Sequence, residues 1–222
     1  MAEFTGTLKY GGYTLSNENI NAMIYWCNQY KILPSGMICQ NYLETHWGNA
    51  GLGLVTEMHN WGGITYISDY PRMFGGKVPY ERGIPRPIKE GGYYVKFKTL
   101  SDFFHAQAWL LSSEENGGAG KYNVDGKNTV YGYATGLFIY GGAKANYAES
   151  WEGYAETMVS IENGILANNP NFNDVNSSSP IPPTGGDNGD NTNIIKKKRE
   201  YIHVSRRTEN QTRRRYIWKL MN

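Results

Sequence analysis

Apolar positions recur at helical spacing through much of the chain. After Ser16, a residue type that caps helix N-termini, Ile20, Met23, Ile24 and Cys27 follow the i, i+3, i+4, i+7 rule and predict a first helix. Pro34 suits a first helical turn and predicts a second helix through Met37, Ile38, Tyr42 and Leu43, ending near Gly48. Ser101 is placed to cap a third helix containing Phe104, Ala108 and Leu111. A fourth carries Trp151, Tyr154, Met158, Ile161 and Ile165, at spacings of 3, 4, 3 and 4. Between the second and third helices, residues 60–92 are rich in Gly and Pro. Strand-like pieces lie at 61–67 and 93–97. Helices enclosing a small β excursion predict an α+β domain with a β-lobe.

This patterning stops near Asn169, so the folded body is expected over residues 1–168. From there to residue 193 the chain is Asn, Ser, Gly, Pro and Asp with little to bury, which reads as a flexible linker. Residues 194–222 form a tail with isolated aromatics and no sustained period, too short for a core of its own. Charge sharpens the division. Residues 1–193 hold 12 Lys and Arg against 18 Asp and Glu, whereas residues 194–222 hold 10 against 2. The body is mildly acidic and the tail strongly basic. The 18 tyrosines are far too many for a disordered chain and imply a packed core. No apolar run approaches the roughly 18–20 residues of a membrane span. The first ten residues, MAEFTGTLKY, lack the basic and apolar regions of a secretory signal. Two cysteines cannot build a disulfide framework. Cys27 and Cys39, on consecutive helices, are expected to be buried free thiols.

Candidate chemistry concentrates in residues 37–66. Glu44 stands near the end of a largely apolar helix, with Gln40 and Asn41 one turn before it and Trp47 three residues after. A carboxyl against an aromatic wall and amides loses solvation, which raises its pKa and suits it to general acid work near neutral pH. A solvated glutamate in a last helical turn is the alternative. Trp47, Trp61, Tyr66, Tyr93 and Tyr94 flank the acid or populate the β-lobe, and Asn60 is placed to buttress that lobe. His46 and His59 lie 13 apart with no paired Cys or carboxylate at metal-ligand spacing, so no metal is expected. Gly51-Leu52-Gly53 lacks the strand and spacing of a phosphate-binding loop and reads as a turn.

Several of these residues form an ordered set. Leu43-Glu44-Thr45-His46-Trp47-Gly48, followed by Asn60-Trp61-Gly62-Gly63-Ile64, resembles glycoside hydrolase family 73, the endo-β-N-acetylglucosaminidases, whose pattern is Glu-Ser-x-Trp-Gly and then Asn-Leu-Phe-Gly-Ile. Arg86-Pro87, Glu90-Gly91-Gly92-Tyr93-Tyr94, Asp102-Phe103, Gly136-Leu137-Phe138 and Gly141-Gly142-Ala143 resemble the glucosaminidase modules of bacteriophage lysins. His46 and Trp61-Gly62 depart from the family's usual residues. The resemblance spans about residues 15–167. It implies a lysozyme-like α+β fold with a cleft between a helical lobe and a β-lobe. It further implies hydrolysis of the β-1,4 bond after N-acetylglucosamine in peptidoglycan, with Glu44 as general acid and no cofactor. For such a substrate, Trp47, Trp61, Tyr66, Tyr93 and Tyr94 are expected to stack on pyranose faces, and Asn60 is placed to contact an acetamido group as an alternative to buttressing the lobe.

The second carboxylate of such a site comes from the β-lobe. Glu90, in the lysin-like motif, is ranked ahead of Glu81 and Asp69, and attack by the substrate's own acetamido group remains the other route. Tyr154 aligns with a tyrosine that the family places near the cleft, although its spacing fits core packing equally. The basic tail fits anionic wall polymers, a truncated wall-binding domain or a shifted reading frame, and specific nucleic-acid binding is not expected. Without a secretory signal, such a lysin reaches the wall by holin-type release or on a virion. A muramidase or lytic transglycosylase on the same fold, and a wall-binding protein without catalysis, are the rivals.

Overall fold

Ser16 lies extended ahead of the first helix, and its hydroxyl accepts the Asn19 backbone N–H at 3.3 Å. The computed structural model, which describes residues 2–49, 57–67, 73–148 and 152–183, therefore starts its first helix where the cap predicts. Before that helix, β1 (Leu8–Tyr10) and β2 (Tyr13–Leu15) pair antiparallel around Gly11-Gly12. The helices then follow as α1 (Asn17–Gln29) and α2 (Pro34–Thr45), the latter with Pro34 in its first turn. Residues 34–41 are all buried, so α2 is covered on every side and carries no polar stripe. Its interior place requires Gly36, because a Cβ there would meet the Tyr133 ring at 2.5 Å.

The β-lobe follows as β3 (Thr65–Tyr66), β4 (Tyr80–Pro85) and β5 (Tyr93–Phe97), antiparallel in the order β3-β5-β4. Tyr66 pairs with Tyr93 and Tyr80 with Phe97. The strand expected over 61–67 shrinks to two residues because the Asn60 side chain consumes the backbone groups of the turn before it. Its Nδ2 donates to the Ile64 and Val95 carbonyls, both at 2.9 Å, and its Oδ1 accepts the Ile64 N–H at 2.8 Å.

Helix α3 (Leu100–Leu111) is capped by Thr99 instead of Ser101. Thr99 and Asp102 form a reciprocal capping box, which satisfies two end donors at once. The Ser101 hydroxyl instead accepts the Trp26 indole N–H at 3.0 Å. A short helix that the periodicity does not reveal, α4 (Val130–Gly136), precedes α5 (Tyr154–Asn168). Helix α5 begins after Gly153, and Trp151, expected inside it, lies outside the described residues.

The aromatic core joins the two lobes. Phe97 of the β-lobe packs on Phe103 and Phe74, and Trp61 packs on Phe103 and Phe104. Each such ring contributes roughly 1.5–3 kcal/mol by leaving water. Cys27 and Cys39 are buried free thiols, and the Cys27 Sγ lies 3.5 Å from the Met37 Sδ. None of the helices among the described residues is long and apolar enough to cross a membrane.

The folded unit also runs beyond residue 168, where the linker was expected to begin. Phe172 and Val175 are fully buried in the turn Phe172–Asn176, and Asn176 accepts the Ser35 N–H at 3.0 Å. Asn169 exchanges hydrogen bonds with both backbone groups of Lys9 at 2.9 Å, and the Ser179 N–H donates to the Ala2 carbonyl at 3.1 Å. Two apolar residues among many Asn and Ser suffice to extend the core. Residues 184–222 lie outside the described residues.

Candidate active site

Helix α2 delivers Glu44 in its last turn. The helix then stops abruptly: His46 and Trp47 both take left-handed backbone, with φ of 49° and 53°. This unusual pair of non-glycine residues reverses the chain, so the Trp47 indole folds back and donates to the Ile38 carbonyl at 2.9 Å. Gly48 follows at φ +81°, with the Trp61 ring so close that a Cβ would meet it at 2.7 Å. Trp47 and Trp61 are 2% and 4% exposed. Rings this deeply packed offer no face to a sugar, so their expected stacking role is replaced by that of a wall bracing the end of α2.

Glu44 is partly covered, and its Oε1 accepts the Tyr147 hydroxyl at 3.1 Å. Burial pushes its carboxyl from 4.5 up to about 7, although the Tyr147 hydrogen bond pulls the other way. Uncharged polar side chains form a network beside it. The Tyr133 hydroxyl donates to the Gln40 carbonyl oxygen, and Asn41 donates to Gln107 at 2.9 Å. Tyr154 is buried, with its ring edge-on to those of Tyr147 and Phe138. Burial first, and then the nearby Glu44, hold the Tyr147 and Tyr154 hydroxyls well above the ordinary phenol range. Both hydroxyls therefore keep their protons and are not bases, and that of Tyr147 donates to Glu44. Gln40, Gln107 and Tyr147 also line a small cavity with Gly62 and Ile64, placing the base of the site at the seam between the helical lobe and the β-lobe.

The β-lobe candidates separate by environment. Glu90 sits in the turn between β4 and β5, ion-paired to Arg86 at 3.1 Å, with its side chain only 13% exposed. The Glu81 side chain is 76% exposed, 4.0 Å from Lys96. Asp69 lies outside the described residues, as do Gly51, Leu52 and Gly53. Tyr93 is exposed, with the Arg82 guanidinium 4.6 Å from its ring centre, and its strand partner Tyr66 is half-buried. Tyr94 faces the other side and is buried under Arg86. With every hydrogen-bonding group of its side chain engaged, Asn60 acts as the buttress of the β-lobe, and an acetamido contact is closed to it. Among the described residues, no three His, Cys, Asp or Glu side chains group as metal ligands would.

The structure thus brings Glu44 together with Gln40, Asn41 and Tyr154, which the sequence singles out, and with Tyr147, Tyr133 and Gln107, which it does not. Tyr147 is 103 residues from Glu44, in an irregular segment with no periodicity. With 18 tyrosines in the chain, nothing marks this one except its position shortly after the glycines at 141 and 142.

The model of the glucosaminidase family, described as mannosyl-glycoprotein endo-β-N-acetylglucosaminidase, matches residues 20–174. No curated protein matches the chain. Among solved structures, the catalytic domain of the autolysin Auto from Listeria monocytogenes is 18% identical, with 72% of this chain and 84% of that one covered and a TM-score of 0.45. A peptidoglycan hydrolase from Sphingomonas sp. A1 is also 18% identical, over 72% of this chain and 92% of that one, with a TM-score of 0.47.

Proposed function

The chain belongs to the glucosaminidase family of glycoside hydrolases, and from that premise we propose that it cleaves the β-1,4 bond after N-acetylglucosamine in bacterial peptidoglycan, with Glu44 as general acid. The observation that carries this reading is the desolvated Glu44 carboxyl at the lobe seam, held by Tyr147 and protonated up to about pH 7. Protonated Glu44 gives its proton to the glycosidic oxygen as the bond from the anomeric carbon breaks. The carboxylate left behind keeps the Tyr147 hydrogen bond, which favours the charged form and eases the transfer.

Positive charge develops on the sugar ring as the bond opens and requires a second negative group or the substrate's own acetamido oxygen. Glu90 suits the first role better than Glu81, because it is sheltered and fixed by Arg86 while Glu81 is solvated. Tyr93 offers the β-lobe an accessible ring for a pyranose face. The motifs from Arg86 to Tyr94 support a lysin-type role at the wall, and the basic residues of 194–222 suit attachment to anionic wall polymers.

The test is mass spectrometry of muropeptides released from purified Gram-positive walls, with borohydride reduction, by the wild type and Glu44→Gln. Reduced N-acetylglucosamine ends from the wild type, and none from the variant, are expected. Reduced or anhydro-muramic ends would move the activity to a muramidase or transglycosylase. No release by folded protein would leave a binding module.

A further inference from the structure

The β1–β2 hairpin lies ahead of residue 20, where the family match begins, and it packs against the helix that carries Glu44. Its root is fixed. Leu8 and Leu15 are fully buried, and Asn169 holds both backbone groups of Lys9. The Tyr10 ring lies 4.6 Å from that of Tyr42 on α2 and against Gly164 of α5, where a Cβ would collide with it. The turn is seated as tightly. Gly11 and Gly12 take φ of 56° and 83°, and a Cβ on Gly11 would collide with the Tyr42 hydroxyl.

Held in this way, the hairpin presents Tyr13 to the C-terminal end of α2. The Tyr13 and His46 rings stack at 4.9 Å, 8° from parallel, and the Tyr42 ring meets His46 nearly edge-on at 5.0 Å. His46 is where α2 turns left-handed, two residues after Glu44. Glycine ordinarily takes that position, because a side chain there is strained. Another residue keeps such a backbone only where its surroundings hold it. The same reversal turns the Trp47 indole back onto Ile38 and fixes how the last turn of α2 meets the seam. If it relaxed, the Glu44 carboxyl would swing toward water. Among the described residues, the ionisable groups facing Glu44 are the hydroxyls of Tyr133, Tyr147 and Tyr154, from α4, the segment after it and α5. Burial holds all three well above the ordinary phenol range, so none is charged near neutral pH.

We propose that Tyr13 is a positioning residue: through its stack on His46, the N-terminal hairpin holds the left-handed end of α2 and keeps the Glu44 side chain at the lobe seam, sheltered from water. The proposal rests on the acid role of Glu44 inferred above. Its test is the pH titration of the Glu44 carboxyl by carbon NMR, assigned with Glu44→Gln, in the full chain carrying Tyr13→Ala, Tyr13→Leu or Tyr13→Phe. The wild type and Tyr13→Phe, which keeps the flat ring, are expected to titrate at about 7. Tyr13→Ala is expected about one unit lower, and so is Tyr13→Leu, which keeps the bulk and serves where alanine prevents folding. Muropeptide release by both should fall about tenfold, the cost of a displaced acid. Folded Tyr13→Ala or Tyr13→Leu that titrates with the wild type overturns the proposal, as does Tyr13→Phe that falls with them. Stack-dependent titration alongside a wild type that releases no muropeptides would defeat the hydrolase reading alone and leave the role of the hairpin standing.

Discussion

Replacing Glu44 by glutamine should stabilise the protein while disabling it, and the gain should depend on pH in a defined way. The folded carboxyl titrates near 7 and the unfolded one near 4.5. Because the folded value is raised, the stability that protonated Glu44 contributes is complete below pH 4.5 and is lost as pH rises through 7. A shift of that size corresponds to about 3 kcal/mol, of which we expect about 2 kcal/mol after allowance for the partial solvent contact of Glu44. Glutamine does not ionise and still presents an oxygen to the Tyr147 hydroxyl. Urea unfolding of both proteins at pH 4, 5, 6, 7 and 8 measures the difference directly, provided that m is unchanged. The variant should match the wild type at pH 4, gain on it steadily to pH 7, and hold a constant lead above that. Wall cleavage should fall by ~10²–10⁴ across the same series. Parallel stability curves would show that Glu44 is solvated and would remove the physical basis for its acid role.

Three further perturbations bear on other parts of the molecule. Tyr147→Phe removes a hydrogen bond that favours ionised Glu44, so the alkaline limb of the pH–rate profile should rise by about one unit, and an unmoved limb would disprove the coupling. Asn60→Ala strips three buried hydrogen bonds from the turn into the β-lobe and should lower unfolding stability by about 2–4 kcal/mol in urea. A loss under about 0.5 kcal/mol would mean that the lobe does not depend on it. Deleting residues 194–222 should weaken sedimentation with anionic walls at low salt and have little effect at high salt, and equal binding at every salt would exclude charge-driven attachment.

Helices α1 and α2 were legible because each carried two agreeing signals. Helix α1 had Ser16 and four apolar residues at helical spacing, and α2 had Pro34 and its own apolar series. Where two caps competed, Thr99 prevailed over Ser101 because Asp102 returns its hydrogen bond. The β1–β2 hairpin and α4 were illegible, because three-residue strands and a seven-residue helix interrupted by glycine carry too few positions to establish a period. At the site, Glu44, Gln40 and Asn41 were found together because they share one helix. Tyr147 and Tyr133 reach the same place only through tertiary folding, which no local spacing encodes. The tryptophans misled for a related reason: a large aromatic beside an acid serves equally to bind sugar or to fill space, and only burial distinguishes the two.

The junction between the two ends of the folded unit has a topological consequence. With Ser179 hydrogen-bonded to Ala2 and Asn169 clasping Lys9, the backbone is nearly a ring. A ring can be opened elsewhere. A few residues joining 179 to 2, with new ends cut in the exposed turn at Gly91-Gly92, would give a circular permutant with the same core and the same placement of Glu44. Any module joined directly at residue 2 or at residue 179 leaves from the same pole, so partners attached at both would be held side by side on one surface of the folded unit.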